Sequence, residues 1–278
     1  MTQAVLALAL SPLALAVVIW SVRQPMRVAL PIFAALVPFG GALSIGSSPF
    51  GSLSSLAGLL LGGGLMLQLI TTRRLARRIP ADVPVWLLFL GVATVTALWT
   101  VDRGITTRGL VVLGSLVIVY VLTAVSDVDR TVLRRTENAL LLGSAAVVCY
   151  GITQLLFLGG FPSDTPGEGP VDDGRFGNDL LGPGVQAIAL LLPFTIALSR
   201  AFLRTGAGQR LFHAALALLM LWGVLMTGSR TGVLAVAVGM VVLILAGPRR
   251  ARLGLTVSLA VFPPVGGGLT APRSCAWP

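Results

Sequence analysis

The chain has no lysine, one histidine, two cysteines and only ten acidic residues in 278. Soluble domains carry about a quarter of their residues as charges; here the fraction is 11%, which excludes an ordinary soluble domain. Cys149, inside an apolar run, and Cys275, in the tail, make no disulfide framework or metal site. Every Asp and Glu falls in or beside a loop, so no carboxylate within an apolar run is placed to couple ion movement. The 20 basic residues are all arginine, and the lack of lysine carries no functional weight. Their net charge of +10 does not point to nucleic acid, because stacking aromatics are not interleaved with them and most stand between apolar runs.

What is present is apolar sequence: 55% of the chain, with a mean hydropathy of +0.93. Runs of roughly 18 or more apolar residues mark membrane-spanning helices, and they recur from end to end. They lie at about 4–22, 28–46, 54–70, 83–100, 109–125, 139–159, 185–203, 211–228 and 231–247, with a further run at about 253–269. The expected fold is an all-α integral membrane protein, a polytopic bundle of about nine to ten transmembrane helices in a single domain over 1–259. Met1-Thr2-Gln3 carries no positive side chain, so a cleaved signal peptide is not expected. Pro263-Pro264 and Gly266-Gly267-Gly268 set 260–278 apart as an atypical tail that reads as cut short or frame-shifted.

The arginines give an orientation. The connections after the odd-numbered runs hold Arg23 and Arg27; Arg73, Arg74, Arg77 and Arg78; Arg130, Arg134 and Arg135; Arg200, Arg204 and Arg210; and Arg249, Arg250 and Arg252. Those after the even-numbered runs hold only Arg103, Arg108, Arg175 and Arg230. By the positive-inside rule the first set is cytoplasmic and the second faces outward. The N-terminus then begins outside, an unusual arrangement that a missing leading helix would also explain. The long connection 160–184 falls on the outer side. It is broken by Gly167, Pro170 and Pro183, and Asp164, Glu168, Asp172, Asp173 and Asp179 make it acidic around its single base, Arg175. Its carboxylates lack the spacing of a calcium loop.

Within the runs, Gly58 and Gly62 have the spacing that permits close helix contact. Pro31, Pro38 and Pro193 are expected to kink their helices. His213, beside Arg210, lies at the cytoplasmic end of its run.

Met226-Thr227-Gly228-Ser229-Arg230-Thr231-Gly232 stands out, since it joins two apolar runs with almost no room for a loop. A helix beginning near Thr231 presents its positive dipole end and unpaired N–H groups there, so Arg230 adds a cation where an anion is already favoured. Phosphate is a usual occupant of such places. The plainer reading is an interfacial arginine reaching for the headgroups, with Thr227 or Ser229 as the helix cap.

Three outward segments, taken in order, resemble the O-antigen ligase and polysaccharide polymerase family of membrane glycosyltransferases. The first is Ala97-Leu98-Trp99-Thr100-Val101-Asp102, followed by Thr106 and Thr107. The second is Gly174-Arg175-Phe176-Gly177-Asn178, leading through Gly182-Pro183 to Ala187. The third, and closest, is Thr227-Gly228-Ser229-Arg230-Thr231-Gly232. The resemblance covers about 83–247 and implies a GT-C-like helix bundle in the plasma (inner) membrane. It implies transfer of a glycan from an undecaprenyl-pyrophosphate carrier to a sugar hydroxyl acceptor, with no cofactor, nucleotide sugar or metal. On it, Arg230 and Arg175 grip the pyrophosphate as negative charge grows on the leaving group, with Ser229, Thr231 and Asp102 in support. Guanidinium groups suit that task, being always charged and able to hold phosphate oxygens in a fork.

The chain also departs from the family. The family's general base, a histidine in a large outer loop near the C-terminal end, has no counterpart, and its loss is worth on the order of 10²–10⁴-fold in rate. The product is therefore expected to be an inactive fragment. Asn178-Asp179-Leu180 replaces an Asn-Pro-Asn-like turn. The competing reading is a secondary transporter of a small anion, although the two halves show no repeat. A non-catalytic scaffold of a cell-envelope assembly is a third.

Overall fold

The computed structural model describes residues 15–40, 43, 52–72, 79–101, 103–158, 182–203 and 206–246. Among them every regular element is helical. Residues 15–23 form α1, followed by α2 (Leu30–Leu36), α3 (Leu53–Thr72), α4 (Val83–Thr96), α5 (Arg103–Val125) and α6 (Arg130–Leu158). The series ends with α7 (Gly182–Leu203), α8 (Ala207–Met226) and α9 (Arg230–Ala246). The apolar run at 253–269 lies outside the described residues, as does most of the first run.

Among the described residues four helical stretches are long and apolar enough to cross a membrane: Leu53–Thr72, Arg130–Phe157, Gly184–Leu203 and Ala207–Met226. Pro25–Phe39, Val83–Trp99, Gly109–Val125 and Arg230–Leu243 are shorter apolar stretches among the described residues.

The stretch 25–39 shows why hydropathy alone overstated one run. It opens with a π turn over Pro25–Ala29, closed by the Leu30 N–H on the Pro25 carbonyl. It passes through α2 and tightens into a 3-10 turn over Val37–Phe39, which Gly40 ends at φ 51°. Pro31 and Pro38 have no N–H to give, and the expected kinks take the form of these changes of pitch. Helix α7, by contrast, runs on through the buried Pro193.

The core divides in two. The larger part is built by Leu141, Val147 and Val148 of α6, Leu190 and Phe194 of α7, and Met220 and Val224 of α8, with Val236 of α9 closing one side. The smaller part joins Met26 and Ala29 to Leu61 and Leu65 of α3, Leu122 of α5 and Val132 of α6. Glycines set the closest approaches. A Cβ on Gly223 would come within 2.6 Å of Val148 and 2.9 Å of Leu190, and one on Gly64 within 3.0 Å of Pro25. Gly58 and Gly62 do not serve one shared helix contact: Gly58 meets the Phe33 ring and Gly62 meets Val119.

Outside this core the surface is apolar. Leu88 of α4 is 69% exposed, Leu142 of α6 65% and Leu234 of α9 65%. Soluble proteins rarely leave such extended apolar surface to water, and a bilayer is its natural surrounding. Helix α4 is the extreme case: Val83 is its one buried residue among those described, and its packing is confined to α5 and its own terminal turn.

Gly143 separates α6 from α2 by almost nothing, since a Cβ there would fall 2.0 Å from the Ala35 carbonyl oxygen. Gly91 has no atom within 4 Å of its own virtual Cβ. We expect Gly143→Ala to lower stability by about 1–3 kcal/mol through overpacking against backbone, while Gly91→Ala is neutral or stabilising. Thermal denaturation of the two variants in detergent reads the difference.

Candidate functional site

The joint between α8 and α9 is built from four residues. Thr227 ends α8, fully buried, with its hydroxyl donating to the Val224 carbonyl at 2.6 Å. Gly228 turns the chain at φ 61°, a left-handed value that glycine adopts at little cost. The Ser229 N–H then donates back to Thr227 Oγ1 at 3.2 Å. Ser229 in turn caps α9: its Oγ accepts the Gly232 N–H at 3.1 Å and its carbonyl accepts the Val233 N–H at 3.1 Å. The caps foreseen in the sequence thus form a relay, with Ser229 capping α9 and Thr227 holding Ser229.

Arg230 is the first residue of α9, one position earlier than the sequence pattern suggested. Its side chain is exposed and, among the described residues, makes no hydrogen bond or ion pair. Thr231, also exposed, follows it on the same first turn. The cap accounts for the amides of Gly232 and Val233, which leaves those of Arg230 and Thr231 directed out of the helix end.

Helix α7 begins beside this turn. A Cβ on Gly232 would lie 2.4 Å from Ala187 Cβ, and one on Gly184 would lie 3.8 Å from Ser229 Oγ. The first turns of α7 and α9 therefore touch, and two positive dipole ends open at one place next to a guanidinium. Gln186 fixes the start of α7 from the other side: it is buried, and its Nε2 donates to the Pro38 carbonyl at 3.0 Å. Sequence reading passed over Gln186 and over the pairing of Gly232 with Ala187; glycines at both 184 and 232, each early in an apolar helix, were the available signal.

Of the other expected site residues the structure gives no position. Arg175 and Asp102 lie outside the described residues. Near Asp102, Thr100 and Thr106 share a hydroxyl hydrogen bond of 2.8 Å. That hairpin of α4 and α5 packs against α3, whereas α9 packs on α7 and α8. His213 sits near the start of α8, its Nδ1 2.7 Å from the Gln209 carbonyl. Fourteen residues of helix, about 21 Å, separate it from Thr227. The far end of α7 is held differently, by Arg200 paired with Glu137 and donating to Asn138 Oδ1 at 2.5 Å.

Compared with family models, with curated proteins and with solved structures, the chain matches none. The chemistry of the turn is therefore read from the turn itself. It can hold an anion by amide N–H groups and a guanidinium. Among the described residues it offers no group placed to take a proton, since Ser229 is engaged as a cap and Thr231 is a plain hydroxyl.

Ser229→Ala removes the cap of α9 and is expected to cost about 1 kcal/mol. Ser229→Asn should retain most of it. Thr231→Ala, whose hydroxyl makes no bond among the described residues, should leave thermal stability unchanged in the same melting measurement.

Proposed function

We propose that this chain is a multi-pass protein of the plasma membrane that engages an undecaprenyl-pyrophosphate-linked glycan at the outer membrane face. Its activity belongs to the transfer of that glycan to a sugar hydroxyl in cell-surface polysaccharide assembly. The observation that carries the reading is Arg230: exposed, unpaired among the described residues, and set on the first turn of α9 where α7 also begins. A diphosphate brings concentrated negative charge and many acceptor oxygens, and the turn supplies fixed donors for both. Three further features support it. By the positive-inside rule the Arg-poor connections of the sequence fall on the same side as Arg230. The third segment of the family resemblance coincides with the relay from Thr227 to Gly232. The apolar exterior supports a bilayer setting, and a turn at the boundary of a bilayer would meet a low dielectric that strengthens the attraction.

On this reading Arg230 takes a non-bridging oxygen pair of the diphosphate, and the amides of Arg230 and Thr231 take a further oxygen. Binding there favours departure of the carrier, because charge grows on the diphosphate as the glycosidic bond breaks. Arg175 and Asp102 complete the site in the proposal. The acceptor hydroxyl needs a base to take its proton, and the family's outer-loop histidine is the group this chain does not supply. Binding is accordingly the property to measure.

Arg230→Ala is expected to weaken binding of undecaprenyl pyrophosphate to the protein in nanodiscs by at least about tenfold, as loss of one charge-assisted fork costs roughly 1.5–3 kcal/mol. Arg230→Lys should recover part of the loss, and undecaprenyl monophosphate should bind more weakly than the diphosphate. Equal affinity of wild type and Arg230→Ala would sink the assignment. For sidedness, Ser229→Cys in a Cys149→Ser, Cys275→Ser background should react with a membrane-impermeant maleimide on whole cells. Labelling only after the cytosol is opened would contradict the proposed topology.

A further inference from the structure

A second polar site lies at the opposite end of the helices. The ends of α3 and α5, the start of α6 and the π turn after α1 enclose a cavity of about 570 Å³. Its floor is apolar and buried, made by Met26, Leu65, Leu122 and Val132. Its rim is polar and exposed, made by Arg23 and Arg27, by Asp127 and Asp129, and by Gln68 of α3.

Three features of that rim point to a ligand. Arg23, Arg27 and Asp129 line one cavity and among the described residues none of the three is ion-paired, whereas Asp127 on the same rim is already engaged. The π turn carries Arg27 to the rim, since the Leu30 N–H reaches back five residues to Pro25 and widens the helix there; single π turns are frequent at functional sites. The cavity also lies where the long apolar helices α3 and α6 terminate, which is headgroup depth for a helix that crosses a bilayer.

We propose that this cavity binds a phosphoethanolamine group, with its phosphate on Arg23 and Arg27 and its primary ammonium on Asp129. The apolar floor suits the glycerol and first acyl carbons of a diacyl lipid. A carboxylate accepts hydrogen bonds from an ammonium that has N–H groups, and a trimethylammonium has none to give. The site should therefore separate phosphatidylethanolamine from phosphatidylcholine, and the presence of Asp129 should disfavour a purely anionic headgroup. This inference needs the chain to lie in a bilayer but does not depend on the glycan-transfer reading, whose Arg230 is at the other end.

The test is native mass spectrometry of the full chain in detergent, titrated in turn with dioleoyl phosphatidylethanolamine, phosphatidylcholine and phosphatidylglycerol. We expect phosphatidylethanolamine to be retained at least fivefold better than the other two. Asp129→Asn, which keeps a helix-capping side chain, should abolish the preference over phosphatidylcholine. Arg23→Ala with Arg27→Ala should weaken retention of every phospholipid. Soluble phosphoethanolamine is a further arm: displacement of the lipid by it at millimolar concentration assigns recognition to the headgroup alone, and failure to displace assigns it to the lipid as a whole. Equal retention of phosphatidylethanolamine and phosphatidylcholine by the wild type overturns the proposal. So does tightest retention of phosphatidylglycerol, or a preference that survives Asp129→Asn.

Discussion

The candidate site depends on how closely α9 can approach α7. The two helices meet at Gly232 and Ala187, where a single added methyl group would have nowhere to go. That contact requires α9 to start at once after α8, and the start is secured by one positive-φ glycine and two hydroxyls, Thr227 holding Ser229 and Ser229 holding Gly232. Each element of the relay satisfies a backbone group that would otherwise be orphaned at a helix end in an apolar setting, where no water substitutes. Once the turn is closed, Arg230 can only lie outside it, beside two helix starts. Its position follows from the closure of the turn.

The two ends of the bundle handle charge in contrasting ways. At the far end of α7, Arg200 is tied to Glu137 and Asn138, so its charge is used in joining α6 to α7. At the near end Arg230 has no such partner among the described residues, and its field is left for what approaches from outside. Pairing lowers the cost of holding a guanidinium at an apolar boundary, whereas an unpaired one keeps its capacity for an anion. The same residue type thus serves structure at one end of a helix and recognition near the other.

Much of this was legible in the sequence, for reasons that can be traced. Helix positions from Leu53 to Ala246 follow hydropathy because apolar runs of that length have few other solutions. That Thr227 or Ser229 caps α9 was legible, because a hydroxyl just before an apolar run has a local bonding partner independent of the rest of the fold, and the structure gives the role to Ser229. What escaped was tertiary. Gly58 and Gly62 carried the recognised spacing, yet the tight contacts fall at Gly143, Gly223 and Gly232, because closeness is decided by what the facing helix presents. Gln186 escaped because its acceptor, the Pro38 carbonyl, is 148 residues away and freed only by a 3-10 turn that hydropathy does not reveal. The pitch of 25–39 escaped for a related reason: proline marks a missing donor without saying whether the chain bends, widens or tightens in response.

Helix α4 touches little besides α5, and nearly all its side chains face outward. Its place is therefore decided by the partitioning of its own residues into lipid and hardly at all by shape. Leucine, valine and phenylalanine are interchangeable there in a way they are not along α8, where Met220 and Val224 are enclosed on every side. Over evolutionary time such a helix is free to drift in identity while keeping its oiliness, so the chain combines one segment written in a loose code with others written in a strict one.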